Sequence, residues 1–85
     1  MRDVAFTPLA HSQLEQWKTD NKKTYSRIEH LIDSIQENPY TGIGKPEPLK
    51  YELKGYWSRR ITKEHRLVYK ITHDAIIVIS CKYHY

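Results

Sequence analysis

The apolar residues change their spacing once along this chain, at the segment YTGIGKPEP, residues 40–48, which contains two glycines and two prolines. Before this segment the apolar residues recur every three or four positions, as they do on one face of a helix. After it they alternate with polar residues, as in strands. Because 85 residues suffice for one domain only, we expect a single domain, residues 1–85, with helices before the loop and a sheet after it.

The first half of the chain predicts one short strand and two helices. DVAF reads as a strand, Thr7 offers an N-cap hydroxyl, and the proline after it suits the first position of a helix that runs to about Lys18. Asp20-Asn21 separates this helix from a second one, which Asn38-Pro39 ends. The second helix carries one apolar stripe: Tyr25, Ile28, Leu31, Ile32 and Ile35.

The second half predicts four strands joined by short turns. In chain order the strands are KYELK, YWSRRIT, RLVYKIT and AIIVISCKYHY, and the turns are Gly55, KEH and His73-Asp74. Connections this short imply antiparallel neighbours. We therefore predict an α+β fold, in the order β-α-α-β-β-β-β, with a two-helix hairpin packed on one face of a mainly antiparallel sheet of about five strands.

Side chains alternate between the two faces of a strand, so the last three strands predict two different faces. The odd-numbered face is mostly apolar and is expected to pack on the helices: Trp57, Arg59, Ile61, Leu67, Tyr69, Ile71, Ile77, Ile79, Cys81 and Tyr83. The even-numbered face is strongly basic: Ser58, Arg60, Arg66, Lys70, Ser80, Lys82 and His84. Val68, Ile76 and Val78 interrupt it, which predicts a small apolar patch for a partner to cover.

Charge and composition narrow the class of protein. Residues 45–85 hold nine of the fourteen lysines and arginines but four of the ten carboxylates, which favours a polyanionic partner. The longest uncharged apolar stretch, residues 75–81, is too short to span a bilayer, and the N-terminus lacks the apolar core of a signal peptide. The single cysteine, Cys81, is expected to be a buried free thiol. We therefore expect a cytoplasmic protein without disulfides, structural metal or membrane partner.

A basic sheet face that carries a histidine and lies near a carboxylate suits the cleavage of RNA. The 2′-hydroxyl must lose a proton, the 5′-oxygen must gain one, and the phosphorane between them needs fixed cations. No metal is required, since the nucleophile belongs to the substrate. Glu47, between two prolines that restrict its backbone, is the candidate base. The other candidates are His84 as the acid, Lys50, Arg60, Arg66 and Lys82 as cations, and Tyr83 and Tyr85 as ring faces for bases.

The same residues also suit a nucleic-acid-binding module without catalysis, and spacing alone leaves both interpretations open. His65 lies in a turn beside Arg66 and is a further candidate for an RNA contact. Trp17 and Trp57 are expected to be contacts between helices and sheet.

Three segments, GKPEPLK, GYWSRRITKEHRLVY and CKYHY, closely resemble the YoeB-type toxins of the RelE superfamily. These are ribosome-dependent mRNA interferases of bacterial type II toxin–antitoxin pairs. The likeness covers the chain from the first strand to the last residue and is strongest from Gly42 onward. It implies a RelE-like, microbial-RNase-like fold, cleavage of messenger RNA in the ribosomal A site, and no cofactor. It also implies three kinds of partner: a YefM-like antitoxin, the ribosome with its messenger RNA, and a second copy of the chain.

The resemblance also implies a role for each matching residue. Glu47 matches the general base, His84 the general acid, Arg66 the arginine that stabilises the transition state, and Tyr85 the tyrosine that completes the site. Lys50 and Arg60 match phosphate contacts. A related toxin that acts on a protein target such as DNA gyrase is the alternative within the superfamily, although it would not need the base, the arginine and the acid together.

Overall fold

The computed structural model describes residues 2–83 as two helices and a five-stranded sheet. The elements are β1 (Asp3–Phe6), α1 (Pro8–Asp20), α2 (Lys22–Glu37), β2 (Glu47–Pro48), a 3₁₀ helix (Tyr51–Leu53), β3 (Tyr56–Arg60), β4 (Arg66–Ile71) and β5 (Ala75–Ser80). The α+β class and the order β-α-α-β-β-β-β are therefore confirmed. None of the helices in the described range is long and apolar enough to cross a membrane.

The strands lie in the order β1-β5-β4-β3-β2. The neighbouring pairs from β2 to β5 are antiparallel, as their short connections predict, whereas β1 runs parallel to β5. At the other edge, β2 contains Pro48 and follows Pro46 directly. Prolines are tolerated there because an edge strand pairs on one side only, and they block the addition of a further strand.

The helices begin and end close to the predicted residues. Thr7 Oγ1 accepts a hydrogen bond from the Ala10 amide at 3.3 Å and caps α1, and Asn21 Oδ1 does the same for the Thr24 amide of α2 at 3.1 Å. Asn38 is the C-cap of α2. Both helices pack on the same face of the sheet, with Ile28 and Leu31 of α2 fully buried.

One predicted strand, KYELK, is wrong. Its first four residues instead enter a 3₁₀ turn, in which the Leu53 amide donates to the Lys50 carbonyl at 3.2 Å. Tyr51 has a φ of 59°, in the left-handed region, which interrupts an extended strand. The free edge of β3 is already paired with Glu47 and Pro48, so the alternating apolar residues of KYELK have no strand to join.

The predicted alternation holds for β3 and β4 but fails on β5. Val68 pairs with Ser80, whereas the next residue, Tyr69, pairs with Val78, so β5 has one extra residue at this point. Such a bulge changes which side chains face the core. Ile76 and Val78, on the predicted open side, therefore lie in the core. Since Val68, Ile76 and Val78 are each at most 1% exposed, the predicted apolar patch does not exist.

The sheet face turned away from the helices is called the open face here. It carries Glu47, Ser58, Arg60, Arg66, Val68 and Lys70, as the cross-strand pairing places them opposite one another. Their odd-numbered neighbours Arg59, Leu67 and Tyr69 are fully buried on the helix side. The predicted basic face is thus present on β3 and β4.

Arg59 is the one cation among these buried side chains. All five N–H groups of its guanidinium are used: Nε donates to Tyr69 Oη, Nη1 to Ser34 Oγ and the Ile43 carbonyl, and Nη2 to the Asn38 and Thr41 carbonyls, at 2.7–3.1 Å. Tyr69 Oη in turn donates to the Pro39 carbonyl at 2.8 Å. One buried side chain therefore binds three carbonyl groups of the loop between α2 and β2.

The two glycines of that loop lie directly against Arg59 and α2. A Cβ at Gly42 would meet Ser34 Oγ and Arg59 Nη1, and one at Gly44 would come within 2.7 Å of Leu31 Cδ2. Both glycines also have positive φ angles, 129° and 83°. Gly42 and Gly44 thus allow the loop to approach Arg59 and α2 at positions where a Cβ atom would not fit.

Replacing Arg59 with Met should destabilise the protein by about 3–5 kcal/mol, because the loop carbonyls and Tyr69 Oη lose their buried donors. A domain of this length is stable by roughly 4–13 kcal/mol, so the change removes much of the total. Urea unfolding followed by circular dichroism measures it, with Arg59→Lys as a variant that keeps the charge but has fewer donors. Arg60→Met, at the exposed neighbouring position, is the control; an equal loss in both variants would contradict the role of Arg59.

Candidate functional site

Glu47 lies on the open face, at the edge of the sheet. Its backbone pairs with Ser58 of β3, and two flanking hydrogen bonds fix the segment: Arg60 N to Gly44 O at 2.6 Å and Leu49 N to Tyr56 O at 2.9 Å. The segment is therefore attached to β3 on both sides of the carboxylate. The prolines beside Glu47 add conformational restriction, as predicted.

Arg60 and Arg66 lie directly opposite each other on the same face. Directly opposed side chains have Cβ atoms about 4.5–5.5 Å apart, and Glu47 on β2 is one diagonal position from Arg60, at about 7–8 Å, whereas Arg66 lies one strand further on. Two like charges at this spacing repel each other and are stabilised by an anion between them. None of the ion pairs within residues 2–83 involves either arginine. The arrangement is a carboxylate beside a dicationic site.

The turn before β4 orients the Arg66 guanidinium. Nη1 donates to the carbonyls of Thr62, Lys63 and His65 at 3.0–3.2 Å. The Nε and Nη2 groups make no hydrogen bond within residues 2–83, so they remain as donors for a ligand. A guanidinium fixed on one side and available on the other suits phosphate, which accepts two parallel hydrogen bonds.

The backbone groups of Cys81 and Tyr83 make four hydrogen bonds, called the terminal clamp here. The Cys81 amide donates to Gln13 Oε1 and its carbonyl accepts from Trp17 Nε1, both at 2.8 Å. The Tyr83 amide donates to His65 Nδ1 at 2.7 Å, and the Tyr83 carbonyl accepts from the Arg66 amide at 2.8 Å. The clamp thus brings the residue that precedes His84 to the start of β4, where Arg66 lies.

The other predicted contacts are less closely grouped. Lys50 is exposed and caps the 3₁₀ helix after β2. Lys82 Nζ donates to Gln16 Oε1 of α1 at 2.8 Å and lies 5.4 Å from the centroid of the Trp17 ring, so it faces α1. The Tyr83 ring is exposed. His84 and Tyr85, the predicted acid and final tyrosine, lie outside the described residues.

Burial is the main cause of the pKa shift at two groups within residues 2–83. Burial raises the pKa of the Cys81 thiol to about 12, with a smaller opposing effect from the Lys82 charge. The thiol also donates a weak hydrogen bond to the Ala10 carbonyl at 3.6 Å, so Cys81 is the predicted buried free thiol. Burial likewise raises the pKa of Tyr69, against the lowering effect of Arg59. Within residues 2–83, no three side chains of the His, Cys, Asp and Glu types are grouped to hold a metal ion.

The structural roles of two residues near the site were not identified from the sequence. Arg59 supports the loop before Glu47, and its only signal was an arginine among apolar odd-numbered positions. His65 was predicted as a possible RNA contact, but its ring packs against Trp17 with centroids 4.8 Å apart and its Nδ1 binds the Tyr83 backbone. Trp17 and Trp57 pack against the core as predicted.

The fold and the basic face place this chain in the RelE-like class. Its structure superposes with a TM-score of 0.93 on the YoeB dimer structure from Staphylococcus aureus, at 45% identity over 99% of this chain and 98% of that one. A YoeB–YefM complex from the same organism superposes with a TM-score of 0.91 and 45% identity, over 100% and 99% of the two chains.

Sequence comparison identifies the family. The family model described as "YoeB-like toxin of bacterial type II toxin-antitoxin system" matches residues 6–85. Toxin RelK of Mycobacterium tuberculosis is 51% identical over the full length of both chains. This chain therefore belongs to the YoeB family of type II toxin–antitoxin toxins.

Proposed function

We propose that this toxin is an endoribonuclease that cleaves messenger RNA in the ribosomal A site and so inhibits translation. The observation that carries the proposal is the shared position of Glu47, Arg60 and Arg66 on the open face. A base and two cations beside one substrate phosphate are what attack by the 2′-hydroxyl requires. The site of action also makes the cytoplasm the expected compartment.

In the proposed mechanism, ionised Glu47 takes the proton of the 2′-hydroxyl, which then attacks the adjacent phosphorus. Arg66 stabilises the extra negative charge of the phosphorane through its Nε and Nη2 groups. His84 gives a proton to the 5′-oxygen as the P–O bond breaks, and Tyr85 completes the site. The products are a 2′,3′-cyclic phosphate and a 5′-hydroxyl, and the reaction needs no cofactor because the nucleophile is part of the RNA.

Lys50, Arg60, Lys82 and Tyr83 are proposed to hold the RNA around the scissile phosphate. Arg60 is the best supported of the four, because it lies opposite Arg66 and has no carboxylate partner within residues 2–83. Lys82 would have to exchange its contact with Gln16 for a phosphate.

A test of the chemistry compares Glu47→Ala and His84→Gln on translating ribosomes. Both should lower the single-turnover cleavage rate by roughly 10²–10⁴-fold, since each removes one proton-transfer step. Toeprinting locates the cut, and mass spectrometry of the upstream product identifies its cyclic or 3′-phosphate end. An RNA with a 5′-thio leaving group, which needs no protonation, should restore most of the rate in His84→Gln but not in Glu47→Ala.

Glu52→Ala is the matched control, because Glu52 is an exposed carboxylate in the neighbouring 3₁₀ helix. It should cleave like the unmodified protein. Binding without any cleavage would favour the nucleic-acid-binding alternative, and inhibition of a protein target without RNA products would favour the gyrase-type alternative. Equal rescue of both variants by the thio substrate would show that the acid is assigned to the wrong residue.

The phosphate contacts predict a salt dependence. Measured in the Glu47→Ala background, where the RNA stays intact, binding to programmed ribosomes should weaken steeply as salt rises. Adding Arg60→Ala or Lys82→Ala should reduce the slope of log K against log salt by about one unit each. Lys18→Ala, at the end of α1, should leave the slope unchanged. A residue whose removal leaves the slope unaltered does not contact phosphate.

We also propose an antitoxin of the YefM type and a second copy of this chain as partners. The basic open face supports the first, since an acidic segment that folds on binding would complement its charge and cover Glu47. The S. aureus YoeB–YefM complex and YoeB dimer lend support by similarity.

Co-expression with the cognate antitoxin should restore the growth of cells that produce this toxin, and the Glu47→Ala protein should copurify with the antitoxin. Light scattering of the purified toxin should give the mass of two chains. Growth inhibition that persists with every product of the flanking genes would contradict the antitoxin proposal, and a monomer mass at micromolar concentration would contradict the dimer.

A further inference from the structure

His65 occupies a defined place between α1, β4 and the end of the chain. Its side chain is 13% exposed, its ring packs edge-on against Trp17, and the Tyr83 ring lies 5.5 Å away between centroids. Its backbone is equally fixed, because its amide donates to Thr62 Oγ1 at 3.1 Å and its carbonyl accepts from the Ile61 amide at 3.0 Å. Both the ring and the backbone of this residue are therefore held in one position.

The contact with Tyr83 identifies the tautomer of the neutral ring. A backbone amide only donates hydrogen bonds, so His65 Nδ1, 2.7 Å from Tyr83 N, is the acceptor and carries no proton. The proton of the neutral ring is then on Nε2, which faces Glu64 Oε1 at 3.7 Å. With Nδ1 occupied and the ring largely covered, His65 is poorly placed to contact RNA or to transfer protons.

The same contact supports an uncommon backbone conformation. Tyr83 has a φ of 62°, in the left-handed region, which is unfavourable for a non-glycine residue and persists only where the surroundings hold it. His65 binds the Tyr83 amide and the Arg66 amide binds the Tyr83 carbonyl. Two neighbouring residues thus hold both backbone polar groups of Tyr83.

We infer that His65 is a positioning residue, whose unprotonated Nδ1 holds the Tyr83 backbone beside Arg66, directly before His84 in the sequence. This inference rests on the proposed function, in which His84 is the general acid. His65 itself does not touch the substrate. Because general acids act only within hydrogen-bonding distance, a displacement of about 1 Å at Tyr83 is enough to lower the rate by about 10²-fold.

Three substitutions distinguish the effect of the acceptor atom of His65 from the effect of its ring. His65→Phe keeps a ring against Trp17 but has no acceptor. His65→Asn places its Oδ1 where Nδ1 lies, so it keeps the acceptor without the ring. His65→Leu introduces a side chain with nearly the shape of asparagine but no acceptor. It serves as the variant without an acceptor if His65→Phe does not fold.

The first measurement is single-turnover cleavage of messenger RNA on programmed ribosomes, with melting temperatures to check folding. His65→Phe and His65→Leu should cleave about 10²-fold more slowly at saturating ribosome, with the half-saturating concentration little changed. His65→Asn should recover most of the rate. The 5′-thio substrate, which needs no acid, should restore the rate of His65→Phe and His65→Leu. If the role of His65 were purely structural, the loss of rate would instead follow the loss in melting temperature.

The second measurement is hydrogen exchange of the Tyr83 amide by NMR. Exchange should be slow in the unmodified protein and in His65→Asn, but fast in His65→Phe and His65→Leu. Normal cleavage by folded His65→Phe or His65→Leu would overturn the role of His65 while leaving the proposed function intact. An equal loss of cleavage rate in His65→Asn and His65→Leu would do the same. If the unmodified protein does not cleave RNA, the proposed function fails, and the positioning role of His65 fails with it.

Discussion

The buried guanidinium of Arg59 is the interaction on which the rest of this structure depends. Burying a cation without a carboxylate is unfavourable unless every donor is satisfied, and here all five N–H groups have acceptors. Three of these acceptors are carbonyls of the loop that leads from α2 to Glu47. The hydrogen bonds between Arg59 and the loop carbonyls therefore offset two costs at once, the burial of the charge and the ordering of a glycine-rich loop.

Two sets of hydrogen bonds to the backbone, one at β2 and one at the end of β5, assemble the candidate site. On one side, β2 is attached to β3 and presents Glu47 at the edge. On the other, the terminal clamp attaches Cys81–Tyr83 to α1 and to the start of β4. Arg60 and Arg66 lie on the strands between them, so a rigid sheet sets the distances. Such a site can hold like charges close together, since the packed core on the opposite face supplies the stability that the open face lacks.

Much of the fold followed from local patterns. The caps at Thr7 and Asn21, the stop at Asn38, and the antiparallel strands β3 to β5 depend on short-range chemistry that is visible in the sequence. The failures have a different cause. In AIIVIS every residue up to Ile79 is apolar, so no alternation revealed the bulge opposite Val68 and Tyr69. KYELK alternates like a strand, but the edge it would have joined is already occupied.

For the site, the sequence determined which chemical groups are available: a carboxylate between prolines, a pair of arginines at positions of equal parity, and a histidine and tyrosine at the end of the chain. Their grouping through Glu47, Arg60 and Arg66 could be inferred because residues of one parity share a face. Only the tertiary structure decided what holds them in place. Arg59 and His65 act through hydrogen bonds to residues 16 to 25 positions away in the chain, and long-range hydrogen bonds leave no periodic signal in a sequence.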